Sequence, residues 1–182
     1  DIGADEADGT SWTDVPAVIR VKPGGSDAAD GSSWAAAKAT IGNAISAAWT
    51  AGGGEVWAQQ GTYAEHLELS AWVDVYGGFA GTETTRVTRD PASHLTVVDG
   101  GGTPPVVNCG LSGYRVSGID GFKITGGGTY TGGTFIPPPS SPAGWGGGVK
   151  CTLSSPVIRG NTITRNSLGD PNTAPFDPGQ GA

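Results

Sequence analysis

The chain has 182 residues, 33 of them Gly and 13 Pro, with charged side chains at only 15 %. Ten basic against seventeen acidic residues give a formal charge of −7 and an isoelectric point near 4.6. Such an acidic chain repels phosphate backbones, which argues against nucleic acid as a partner. No apolar run approaches the roughly 20 residues that span a bilayer. Six Trp, four Tyr and four Phe oppose a disordered reading of the high Gly and Pro content. One domain over residues 1–182 is expected. The chain starts at Asp1 and contains no Met, which reads as a mature chain cut from a secretory precursor. Together with its low charge and abundant Ser, Thr and Gly, this points to an extracellular or cell-surface location.

In chain order, residues 1–17 read as an N-terminal arm. Its stretch "ADEADGTSW" at 4–12 is echoed by "SDAADGSSW" at 26–34, so that Asp5 matches Asp27, Asp8 matches Asp30 and Trp12 matches Trp34. Residues 33–50 carry the spacing of a helix, with Trp34, Ile41, Ala44, Ile45, Ala48 and Trp49 on one stripe and a Ser cap ahead of it. Gly52, Gly53 and Gly54 end it. From 54 to 166 the pattern is short strands punctuated by Gly: "GEVWAQQGTY", "HLEL", "VDVYGGF", "HLTVVDGGG", "PVVNC", "FKITGGG", "GVKC" and "NTITRN". Few two-residue hairpin signals separate them. Residues 129–147 form a Pro/Gly-rich insertion, and 167–182 form a tail without helix signals.

A repeat organises these strands. "CGLSGYRVSG" at 109–118 matches "CTLSSPVIRG" at 151–160, pairing Cys109 with Cys151 and Gly118 with Gly160; after a slip of three, "KIT" at 123–125 matches "TIT" at 162–164. "VYGG" and "VVDGG" recur at a step of roughly 22, the size of one solenoid turn. Short strands at a fixed step with Gly at corners predict an all-β parallel β-solenoid, with room for about five coils.

The runs "IRVKPGGSDAADGSSWAAAKATIGNAISAAW", "GGEVWAQQGTY", "VDVYGGFAGTETTRVTRDP" and "LTVVDGG" resemble the opening of secreted right-handed β-helix proteins of the pectin-lyase-like fold. These include polymorphic-outer-membrane-protein-like and bacterial surface proteins. The resemblance spans about residues 18–166, and "YGGFAGTE" is its most specific part. It implies an all-β, right-handed parallel β-helix (β-solenoid) with an N-terminal capping α-helix, and it says little of activity, since that fold hosts lyases, hydrolases, adhesins and inert stalks.

Cleavage of polysaccharides by this fold would require neighbouring carboxylates with room for water, or a carboxylate cluster beside an Arg or Lys base. The strand-borne candidates are Asp74, Asp99 and Asp120, with Lys123, Arg115 and Arg159 as bases. No acid pair recurs within one strand, and Asp99 and Asp120 precede Gly as turn formers do. Asp5, Asp8, Asp27 and Asp30 are candidate calcium ligands, against the plainer reading that each sets a turn. No other cofactor is indicated. His66 and His94 are too few for a zinc site. The Gly triplets lack the Lys-Ser/Thr of a phosphate loop. Trp72 and Trp145, beside loops, are the candidate glycan platforms, whereas Trp34 and Trp49 read as core.

Cys109 and Cys151 fall at equivalent repeat positions. Alternation turns both thiols inward, and strand spacing falls within the range a disulfide spans, so a Cys109–Cys151 bond is expected; two packed free thiols are the alternative. The functional expectation is a secreted, non-catalytic structural protein that assembles with itself head-to-tail into a filament or surface structure. Surface glycans are possible further partners. The alternative is a polysaccharide-active or glycan-binding module.

Overall fold

The computed structural model describes residues 17–110, 117–131, 134–136 and 147–166. Strand β1 (Ala17–Val21) leads to helix α1 (Ile41–Thr50) and then to β2 (Gly54–Gln59). Next come β3 (Gly61–Tyr63), β4 (Leu67–Glu68), β5 (Val73–Phe79), β6 (Thr96–Asp99), β7 (Val107–Cys109), β8 (Gly118–Asp120) and β9 (Phe122–Thr125). β10 (Thr129–Thr131), β11 (Thr134–Ile136), β12 (Val149–Cys151), β13 (Val157–Arg159) and β14 (Thr162–Ile163) complete the order.

Three parallel sheets result, ordered β1-β2-β5-β8-β13, β3-β6-β9-β14 and β4-β7-β12. β10 and β11 pair antiparallel within the Pro/Gly-rich insertion. The expected all-β, closed parallel β-helix is therefore corrected to an α/β arrangement. Each sheet keeps its own two edges, with no strand shared between sheets, and α1 is the crossover between parallel neighbours β1 and β2, a β–α–β unit. The recurrence of "VYGG" and "VVDGG" does not make β5 and β6 neighbours, since β5 pairs with β2 and β8.

The helix is also shorter than its spacing predicts. Over 26–39 the backbone is spent on tertiary hydrogen bonds: Arg20 N–H donates to Gly31 O at 2.8 Å, and Lys38 N–H donates to Arg20 O at 2.9 Å. Asp27 Oδ1 accepts the amides of both Ala39 and Thr40 at 3.0 Å, and Thr40 then caps α1 by accepting from Asn43 N–H. Trp34 consequently lies off the helix against Phe79, with ring centroids 5.7 Å apart. Trp49, expected in the core, is 59 % exposed. Replacing Thr40 with Ala should cost about 1 kcal/mol, read as a lower urea midpoint at unchanged slope.

Parallel register stacks like on like across each sheet. Ile19, Val56, Val75, Ile119 and Ile158 form one row, and Tyr63, Val98, Ile124 and Ile163 another. Leu67, Val107 and Val149 form a third. The three rows meet in a single apolar cluster, which the helix joins with Ile41, Ala44, Ile45 and Ala48. Glu65 fixes that helix by accepting the amides of Ile41 and Gly42 at 2.8 and 3.0 Å. Burial outweighs those donors and holds its carboxyl above the ordinary range.

The two ends of the rows differ. At the helix end Val21 and Ile41 are wholly buried. At the other end Ile158 and Ile163 are 40 % and 48 % exposed, and beside them Val157 and Leu153 are 54 % and 83 % exposed.

Candidate functional site

The charged residues that do converge lie on the outer face of the five-stranded sheet. Register aligns Arg20, Trp57, Tyr76, Asp120 and Arg159 in one row. The segment after β5 folds back over it. Arg86 and Arg89 sit over the Tyr76 ring, 4.5 and 5.2 Å from its centroid. Arg86 also pairs with Glu55 at 2.9 Å, while Glu55 accepts from Trp57 Nε1 at 2.7 Å. Phe79 stacks on Trp57 with centroids 4.9 Å apart. Glu83 ties the segment down, its carboxylate accepting the amides of Ala80, Gly81 and Thr82. That gives the "YGGFAGTE" stretch a structural task.

Asp120 is the centre. It pairs with Arg89 and Arg159, each at 2.9 Å. Burial by itself would raise its pKa, but the hydrogen bonds and charges of the two guanidinium groups prevail and hold it below the usual value. An Asp so held is ionised at neutral pH and unsuited to giving up a proton as a general acid there. Tyr76 is pushed the opposite way, by burial first and then by the nearby carboxylate of Asp74. The Asp74 backbone lies in the ladder between β2 and β8, and its carboxylate has no hydrogen-bond partner among the described residues. Gly118, its register partner, keeps the space before it clear: a Cβ there would lie 3.0 Å from Asp74 Oδ1.

Of the acids and bases singled out from sequence, Asp74, Asp120 and Arg159 thus share one sheet face. Asp99 and Lys123 sit on the second sheet, where Asp99 Oδ1 accepts the Gly101 amide as a turn former does. Arg115 lies outside the described residues, as do Asp5, Asp8 and Trp145. The described half of the candidate calcium cluster is engaged in turns. Asp27 serves the start of the helix, and Asp30 accepts from the Ser32 amide and hydroxyl. Among the described residues no three His, Cys, Asp or Glu side chains converge as metal ligands would. His66 and His94 contact separate partners, Pro105 O and Gln60 Oε1. Trp72 is 53 % exposed at a turn.

Sequence reading missed Arg86, Arg89 and Tyr76. The Arg-x-x-Arg spacing in "TTRVTRDP" was the available signal, but only the fold-back of the segment turns both residues onto one ring.

Cys109 and Cys151 are register partners on β7 and β12 and stand as free thiols. The inward Cys109 is buried, and burial, then the neighbouring Cys151, push its thiol up to about 12. Cys151 is exposed because no described strand lies beyond β12.

No family model, curated protein or solved structure matches the chain. Among the described residues no helix is long and apolar enough to cross a membrane.

Proposed function

We propose that the chain is a secreted, non-catalytic structural subunit that associates head-to-tail with copies of itself into an extracellular filament or surface layer. The supporting observation is the asymmetry of its ends. The β1 edge is occupied by its own chain, since the outward-facing Arg20 and Lys22 amides bond to Gly31 O and Lys38 O. At the opposite edge Val157 N–H and Arg159 O bond inward toward β8, so alternation turns the backbone of Ile158 outward. Thr164 N–H likewise bonds inward to Ile124 O, which turns Ile163 outward. Among the described residues no strand pairs with these outer edges of β13 and β14. Open strand edges are templates for pairing with another chain, and here they coincide with the exposed ends of the apolar rows. A contact joining two different surfaces repeats from copy to copy and builds a fibre wherever its rotation does not close a ring.

Sedimentation velocity across a concentration series tests this. Growing assemblies, seen as elongated particles by electron microscopy, are expected for the full chain. Replacing Ile158 and Ile163 with Lys should abolish them. A chain that stays monomeric at every concentration overturns the proposal.

A second reading, action on or binding of polysaccharide, is favoured by Asp74, an acid on a strand face with Gly118 leaving room before it. It predicts discrete particles and release of new sugar ends from an acidic polysaccharide.

A further inference from the structure

We propose that the open end is filled by residues 1–16 of a second copy, with Trp12 placed beside Arg159. This rests on the self-association proposed above and names the surfaces that carry it. Two independent features of the chain support it.

The first is charge. Residues 147–166, which carry the three edge strands β12, β13 and β14, contain Lys150, Arg159 and Arg165 and no acid. Residues 1–16 contain Asp1, Asp5, Glu6, Asp8 and Asp14 and no base. In a chain with a net charge of −7, the described residues of this end are basic, with Arg159 balanced in part by Asp120, and the most densely acidic stretch is the one proposed to dock there.

The second is the echo between 4–12 and 26–34. The structure shows what the second copy of this motif does: residues 26–34 lie along a sheet edge. Gly31 O accepts the Arg20 amide, Asp30 sets the turn, and Trp34 places its ring 5.9 Å from the Arg20 guanidinium. The strand so covered reads Val18-Ile19-Arg20, and the open strand reads Val157-Ile158-Arg159 in the same sheet, with Arg20 and Arg159 in one register row. The two edges offer different backbone groups, Arg20 at one and Ile158 at the other. What they share is a guanidinium at the edge for the indole to cover, and the Arg159 side chain is 72 % exposed.

Length assigns the segment to a neighbour. Strands lie about 4.8 Å apart, so a position one strand beyond β13 is five spacings, about 24 Å, from β1. From Ala17 back to Trp12 an extended chain spans at most about 18 Å. The backbone at Trp12 therefore falls short of that position in its own copy, and a second copy has no such limit.

The test uses the full chain and two variants, Trp12→Ala and the pair Arg159→Glu with Arg165→Glu, their folding checked by circular dichroism. Each variant alone should associate at least tenfold more weakly than the unaltered chain. Raising salt from 50 to 500 mM should weaken the unaltered chain's association. Mixed in equal amounts, the variants should form dimers that do not grow further, because one still has a working arm and the other a working open end. Undiminished association of Trp12→Ala overturns the assignment of the arm while leaving head-to-tail association standing. A monomeric unaltered chain overturns both.

Discussion

Replacing Asp120 with Ala should lower stability by about 3 kcal/mol, read as a shift of the urea midpoint. The carboxylate is mostly buried, at 11 % side-chain exposure, and so is its partner Arg89 at 14 %. Removing one member of such a pair strands the other charge away from water, which costs about 3–5 kcal/mol for fully buried pairs. The lower figure applies because Arg89 keeps its bonds to the carbonyls of Gly77 and Asp120. The second partner adds little, since Arg159 is 72 % exposed and exposed pairs contribute about 1 kcal/mol or less. The pH dependence follows from the direction of the shift. Asp120 is held below its ordinary pKa in the folded chain. Its contribution is therefore fully present above about pH 4, the unfolded value, and is lost as the pH falls through the lower folded value. The gap between the unaltered chain and Asp120→Ala should accordingly narrow in acid. A constant gap down to pH 2 would assign the effect to packing instead of charge.

Oxidation of Cys109 and Cys151 should produce the second large effect. The two residues face each other across a parallel register, at a spacing a disulfide accommodates. With glutathione disulfide as oxidant, the exposed Cys151 attacks first and releases one glutathione. Cys109 then displaces the second, its proton passing to solvent. Because the Cys109 thiol is pushed up to about 12, the second step should be slow and should accelerate toward alkaline pH. The bond would close a loop of about 40 residues, which the chain-entropy model makes worth about 4 kcal/mol, less any strain. Thermal unfolding of the oxidised chain against Cys151→Ser measures the gain. Two alkylatable thiols remaining after prolonged oxidation would end the expectation.

Two of the strand pairings were legible because parallel register places like on like. The alignment of "VNC" with "VKC" places Cys109 opposite Cys151, and that of "KIT" with "TIT" places Ile124 opposite Ile163, and the structure has both pairs. Between them the alignment fails. It sets Gly118 against Gly160, but Gly118 pairs with Val157. The three-residue slip therefore falls earlier than the letters suggest, because a match of Gly with Gly reports a shared turn conformation and not a shared ladder position. The helix was misjudged from apolar spacing alone. Nothing local to "SSWAAAKAT" announces that Arg20, twelve or more residues away, will claim its backbone groups. The site was hidden for the same kind of reason. Asp120 reads as a turn former before Gly121, and only the stacking of β8 between β5 and β13, with the Arg86–Arg89 segment folded over them, gives it two cationic partners.

The apolar rows that start under α1 and run out at β13 and β14 also make the molecule unequal in time. An amide can exchange with solvent only when its hydrogen bond opens, and openings begin where fewest neighbours resist them. Protection against deuterium should therefore fall in steps along each row. Val21 and Val56, beneath the helix, should be slowest, Val75 and Val98 intermediate, and Val157 and Thr164 fastest. The chain should thus loosen from one end while the other keeps its form, and anything that occupies the open end should slow exchange most at the strands nearest it, fading row by row toward the helix.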